Sequence, residues 1–128
     1  EDAGDFSEGF AKVKKNGSWG FIDKSNHVLW NGYVYEDASF FYNSSAPVKK
    51  NGLWGYIENN GSTTEYVFEY ASTFFKNYGA VRLNNKWHVI NRGYNPIIPL
   101  DYEIVQFDPP FIIVKDKNKY GVLKITRK

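Results

Sequence analysis

Cysteine is absent from the 128-residue sequence, which excludes both a disulfide framework and a thiolate metal site, so packing must hold the fold. That absence leaves the compartment open. Methionine is missing as well. The longest apolar runs, such as Phe111 to Val114, fall far short of the roughly 20 residues that a spanning helix needs. No basic-then-apolar signal segment opens the chain. A sequence beginning at Glu1 is expected to be a processed product or a piece of something longer. Excess charge is lacking too. The formal net charge is +2 with the basic residues dispersed, so the cationic field that nucleic-acid binding usually requires is not there.

Aromatic residues are abundant. Four Trp, ten Tyr and ten Phe make up 19% of the chain, against 23% charged residues, the balance of a folded β protein rather than a disordered one. The length suits a single domain or a short array.

One period organises the chain. Asn16-Gly17-Ser18-Trp19-Gly20-Phe21-Ile22-Asp23 recurs as Asn51-Gly52-Leu53-Trp54-Gly55-Tyr56-Ile57-Glu58, and weaker copies run from Asn84 to Asn91 and from Lys117 to Lys124. The anchor aromatics Trp19, Trp54, Trp87 and Tyr120 are 35, 33 and 33 residues apart. Thirteen residues before each anchor stands a phenylalanine (Phe6, Phe41, Phe74, Phe107), and six before it a valine (Val13, Val48, Val81, Val114). The four units are placed at 1–32, 33–67, 68–101 and 102–128.

Asn-Gly between alternating apolar runs predicts a type I′ hairpin, because both central residues then need positive φ. Asn16-Gly17 and Asn51-Gly52 meet this demand, Asn84-Asn85 substitutes for it, and Lys117-Asn118 is the poorest match. Counting outward from two-residue loops sets the cross-strand neighbours. Lys14 faces Trp19, Lys49 faces Trp54, Arg82 faces Trp87, and Lys115 faces Tyr120. On the other face Val13, Val48 and Val114 meet Gly20, Gly55 and Gly121, while Val81 meets His88. A glycine after the anchor implies close approach of another backbone or a bulge. A lone hairpin is marginal in water, so each unit must bury its aromatics against the next. The stretches Tyr33 to Phe41, Tyr66 to Phe75 and Leu100 to Phe107 are expected to add a third strand per unit. The expected fold is thus all-β, with antiparallel hairpin or three-stranded units stacked into a short solenoid-like or partly closed array.

The pattern Phe6-x-Glu8-Gly9-x-Ala11-x-Val13 followed by Asn16-Gly17-x-Trp19-Gly20-Phe21-Ile22-Asp23 resembles the bacterial WG repeat family. The resemblance covers nearly the whole chain, with departures at Trp87-His88 and Tyr120-Gly121. It implies an antiparallel β repeat array used as an adaptor or interaction module, and no activity. A weaker similarity links Asn-Gly-x-Trp to choline-binding hairpin repeats, whose aromatic cages hold quaternary ammonium groups. Those repeats are shorter and carry consecutive aromatics in place of Trp-Gly.

Chemistry-bearing residues do not converge in the sequence. His27 falls in a turn after the first hairpin, and His88 occupies a position that is Gly in the sister units; neither has a ligand-spaced partner. Asp23, Glu58, Asn91 and Lys124 share one repeat position, an interchange that a catalytic acid would not tolerate. Glu36 and Asp37 are adjacent and point to opposite faces of a strand, so no carboxyl pair of the glycosidase kind is formed. Phosphate-cradling glycine motifs are absent. No catalytic residue, metal or cofactor is therefore expected. The candidate surface is the row of basic-aromatic pairs, Lys14/Trp19, Lys49/Trp54, Arg82/Trp87 and Lys115/Tyr120, in which long basic stems either merely cover the rings or line a groove. A non-catalytic protein-interaction module with a protein or peptide partner is expected. A carbohydrate- or cell-wall-binding module and a structural spacer are the alternatives.

Overall fold

Type I′ turns shape the chain. In the computed structural model, which describes residues 2–126, both central residues are left-handed at Asn16-Gly17 (φ 51° and 85°), Asn51-Gly52 (55° and 84°) and Asn84-Asn85 (52° and 62°). At the fourth turn only Lys117 has positive φ (58°), yet the loop keeps its two residues, with Asp116 opposite Lys119.

The described residues form twelve strands and contain no helix. β1 (Phe10–Lys15) and β2 (Ser18–Asp23) form the first hairpin. β3 (Asp37–Ala38), β4 (Ser45–Lys50) and β5 (Leu53–Glu58) form a three-stranded sheet. β6 (Tyr70–Ala71), β7 (Gly79–Leu83), β8 (Lys86–Ile90) and β9 (Pro96–Leu100) form a four-stranded one. β10 (Glu103–Asp108), β11 (Phe111–Asp116) and β12 (Lys119–Lys124) form the last. All pairings are antiparallel, and no sheet closes on itself among the described residues.

A second tight turn recurs ahead of each hairpin. Glu8-Gly9, Asn43-Ser44 and Lys76-Asn77 each carry two successive positive φ values, and the flanking residues pair as Ser7 with Phe10, Tyr42 with Ser45 and Phe75 with Tyr78. In the fourth unit Pro109-Pro110 takes the same place between β10 and β11. Every unit is therefore folded by two turns, and only the Asn-Gly turns of the first two units carry a strong sequence signal.

The connecting segments depart from the expected third strands. Tyr33 to Phe41 and Tyr66 to Phe75 contribute ladders of only two residues, β3 and β6. The cause is a change of partner halfway. Tyr35 pairs with Trp19 of the preceding hairpin, and two residues later Asp37 pairs with Lys49 of the following one. Phe68 pairs with Trp54, and Tyr70 with Arg82, in the same way. Neither ladder can lengthen while one short segment serves two hairpins. Between the third and fourth units two full strands form, as Leu100 of β9 pairs with Trp87 and Glu103 of β10 with Lys115. β9 has no strand signal in the sequence because Pro96 and Pro99 cannot donate to a ladder, and it lies where such residues are tolerated, at a sheet edge.

Three apolar clusters join consecutive units. The first gathers Phe21, with Trp19 beside it, onto Tyr35, Ala38, Phe41, Ala46, Val48 and Ile57. Tyr56 and Trp54 meet Phe68, Ala71, Phe74, Val81 and Ile90 in the second. In the third, Val89 and Trp87 meet Leu100, Ile112, Val114 and Leu123. In each cluster the aromatic face of one hairpin meets the valine face of the next, with connector residues between them. Trp30 fastens the first joint, its ring 5.4, 5.8 and 5.7 Å from Phe10, Phe21 and Phe41. Gly61 leaves room for that ring, since a Cβ there would lie 2.1 Å from Trp30 Cδ1.

The repeated phenylalanine reports the joints directly. Phe41 and Phe74 are 1% and 0% exposed, whereas Phe6 of the first unit is 47% exposed. Phe74→Ala is expected to lower the unfolding free energy by about 3–5 kcal/mol, and Phe6→Ala to change it by under about 0.5 kcal/mol, as read from urea denaturation.

Candidate binding surface

Each basic-aromatic pair has the register expected from the turns: Lys14 opposite Trp19, Lys49 opposite Trp54, Arg82 opposite Trp87 and Lys115 opposite Tyr120. Their side chains then diverge. Lys14 Nζ lies 6.0 Å from the Trp19 ring centroid and Lys115 Nζ 5.7 Å from that of Tyr120, within cation-π range. Arg82 turns toward Glu69, Nε to Oε1 3.8 Å, and Trp87 is met edge-on by the Tyr70 ring at 5.5 Å. Trp19, Trp54 and Trp87 are half-buried against the three clusters, while Tyr120 stands exposed.

Other lysines make contacts that counting across the hairpin does not reveal. Lys12 Nζ sits 4.7 Å from the Trp19 centroid and 5.0 Å from that of Phe40, and donates to the Ala38 carbonyl at 2.9 Å. Lys15 lies over Tyr33 at 5.8 Å and Lys50 over Tyr66 at 5.9 Å. The last two are repeats of one contact. The signal for them is the matched pair of connectors, Tyr33-Val34-Tyr35-Glu36 and Tyr66-Val67-Phe68-Glu69.

Close backbone approach explains the glycine after the anchor in two units. A Cβ at Gly20 would lie 2.7 Å from the Gly32 carbonyl oxygen, and one at Gly55 would lie 2.8 Å from that of Glu65. His88 fits in the third unit because β9 runs alongside it as a ladder strand, placing Pro99 opposite. Gly121 has only Val114 of its own hairpin near, at 3.9 Å.

The interchangeable position at Asp23 and Asn91 is a turn cap. Asp23 Oδ1 accepts from the backbone N–H groups of Ser25 and His27, both at 2.9 Å. Asn91 Oδ1 accepts from Gly93 and Asn95 at 3.0 and 3.1 Å. Glu58 is one methylene too long for this Asx geometry; Asn60 takes over, accepting from Ser62 at 2.9 Å, and Glu58 instead accepts a hydrogen bond from the Tyr94 hydroxyl. Burial, followed by this carboxylate, pushes the Tyr94 pKa up to about 12. Burial likewise raises that of Tyr56, whose hydroxyl donates to the Ser72 carbonyl at 2.7 Å. The His27 backbone N–H is the foremost cause holding the Asp23 carboxyl below its ordinary value, and the His27 ring, 3.2 Å from Oδ2, adds to it.

A shallow cleft of about 360 Å³ is lined by Arg82, Asn85, Lys86, Trp87, Leu100 and Glu103, among others, and so includes one of the four pairs. A larger cleft of about 570 Å³ lies between Asn77, Tyr78, Arg92, Ile98 and Ile125. Among the described residues, no three His, Asp or Glu side chains gather as a metal ion would require, and no helix is long and apolar enough to cross a membrane.

The cap makes a specific expectation for Asp23. Its folded-state pKa is depressed, so the turn's contribution to stability is complete above the ordinary aspartate value of about 3.8 and is lost as pH falls through the lower folded value. Carboxyl-detected NMR should give a midpoint below 3.8 for Asp23. Asp23→Asn should retain the turn as Asn91 does, and Asp23→Leu should abolish protection of the Ser25 and His27 amides.

The model of the WG containing repeat family matches residues 1–19, 19–54 and 54–87. The boundaries at 19, 54 and 87 coincide with the anchors Trp19, Trp54 and Trp87, so the second and third spans each run from one anchor to the next. No curated protein matches the chain, and no solved structure does. With more than half of its length matched, the chain belongs to the WG containing repeat family.

Proposed function

We propose that this chain is a non-catalytic protein-interaction module, an array of WG units offering an extended surface to a protein or peptide partner. The observation that favours a protein over a sugar is the setting of the tryptophans. Trp19, Trp54 and Trp87 each pack against an apolar cluster shared with the next unit, whereas a stacking platform for sugar rings needs flat, accessible aromatic faces. Successive units repeat one set of groups along the chain, and such arrays present long surfaces to which each unit adds a similar patch. Rows of lysine and arginine at the anchor register supply a basic character that suits acidic segments of a partner.

The test is capture from the native lysate on the immobilised 128-residue chain, run beside a glycan array. Protein capture that falls several-fold when Lys14, Lys49, Arg82 and Lys115 are changed together to Glu supports the reading. Binding to glycans alone would transfer it to a carbohydrate-binding module, and binding to neither would leave a spacer. Oligosaccharide titration is expected to leave the tryptophan emission unchanged.

A further inference from the structure

Carboxylates hold turn amides at several places in this chain, and Glu8 makes the fullest contact. Its Oε2 accepts from Asn43 N at 2.7 Å and its Oε1 from Ser44 N at 2.9 Å. One carboxylate thus covers both central amides of the turn ahead of the second hairpin. Glu36 and Glu69 each take a single amide, that of Gly52 at 3.0 Å and that of Asn85 at 2.9 Å. The physical cause is general. Successive left-handed residues leave their N–H groups outside the ladder and facing one concavity, which attracts an anion, and a carboxylate answers with two oxygens and a full charge.

The third unit repeats this turn without the carboxylate. Lys76 and Asn77 have φ of 48° and 73°, against 52° and 73° at Asn43 and Ser44, and Phe75 and Tyr78 close the turn with bonds of 2.8 and 2.9 Å. Glu8 and Asn43 each stand eleven residues before an anchor, Trp19 and Trp54. Asn43 therefore has the place in the second unit that Glu8 has in the first. It carries no charge, and its Nδ2 donates to the Phe74 carbonyl at 3.0 Å. Among the described residues, no protein acceptor meets the Lys76 or the Asn77 amide. Both residues are exposed. The surrounding charge favours an anion, because neither Lys76 nor Arg92 forms an ion pair among the described residues. Arg92 lines the same cleft as Asn77, its guanidinium 4.9 Å from the Phe74 ring centroid. Next to the turn the exposed Tyr42 ring packs on Phe75 at 5.3 Å.

We propose that the Lys76-Asn77 turn is a receptor for a carboxylate, supplied by an aspartate or glutamate side chain of a partner protein. Each carboxylate oxygen takes one amide, as Glu8 does at Asn43 and Ser44, and an apolar neighbour of the acid rests on Tyr42. The charges of Lys76 and Arg92 add a preference for acidic segments over neutral ones. The proposal rests on the interaction-module reading and deepens it by naming the group that is bound and the amides that bind it.

The probe is the acetylated and amidated peptide Phe-Ser-Glu-Gly-Phe, which copies residues 6–10 and has a single carboxylate; the same peptide with glutamine for glutamate is the control. Titrated into the nitrogen-labelled 128-residue chain and followed by amide NMR, it should move the Lys76 and Asn77 protons downfield to saturation. The glutamine peptide should bind about tenfold more weakly. Asn43→Glu restores a carboxylate within the chain, at a position whose counterpart Glu8 already holds a φ of 54°. In that variant both amides should lie downfield before peptide is added and should no longer respond to it. Lys76→Glu, at an exposed position, should weaken binding about tenfold with an unchanged thermal midpoint, so that a folding defect would be evident. Unmoved Lys76 and Asn77 amides, equal binding of the two peptides, or a full response in both variants would overturn the proposal. An equal response to sodium acetate or inorganic phosphate at the peptide's concentration would overturn it in favour of a free anion. Lysate capture that persists in Asn43→Glu, with the parent's amides unmoved by peptide, would remove this site and leave the wider interaction reading intact. No capture by the parent while its amides respond as expected would sustain the carboxylate site and remove the wider reading.

Discussion

A two-stranded hairpin has an aromatic face that water disfavours and nothing of its own to cover it. Here the cover comes from the next hairpin. Phe21, Tyr56 and Val89 each sit against the valine side of the following unit, with an aromatic or leucine from the intervening segment, Tyr35, Phe68 or Leu100, wedged into the same cluster. The glycines after the anchors and the two-residue ladders β3 and β6 follow from this arrangement. A connector that must lie on one hairpin and then the next needs a strand without a side chain to pass over, and it cannot stay long on either.

The turn and the hairpin register were legible because a two-residue loop turns pairing into arithmetic. Once Asn16-Gly17 is a I′ turn, Lys14 must face Trp19 and Val13 must face Gly20. The connectors were not legible by the same means, because no single periodicity describes a segment that changes partners between Tyr35 and Asp37. β9 was hidden by its prolines.

The candidate surface was readable down to the position and no further. Backbone register brings Arg82 opposite Trp87, but the direction of its guanidinium depends on Glu69, a residue of the connector whose place could not be counted from the turn. Lys12 over Trp19 depends likewise on Phe40 and the Ala38 carbonyl. Asp23 illustrates the opposite case. Its replacement by Asn91 already argued against an acid catalyst, and the shared Asx geometry supplies the reason, since the turn needs a short acceptor and not a charge.

Glu36 and Glu69 tie each connector forward. Glu36 Oε1 accepts the Gly52 backbone N–H at 3.0 Å, and Glu69 Oε1 accepts that of Asn85 at 2.9 Å, so the segment leaving one hairpin also clasps the loop of its successor. The first two seams thus carry the same fastening. Gene duplication of one anchor-to-anchor span would lengthen such a protein without inventing a new contact, and loss of a span would rejoin surfaces already suited to each other. Variation in the number of units is therefore the evolutionary freedom that this architecture leaves widest.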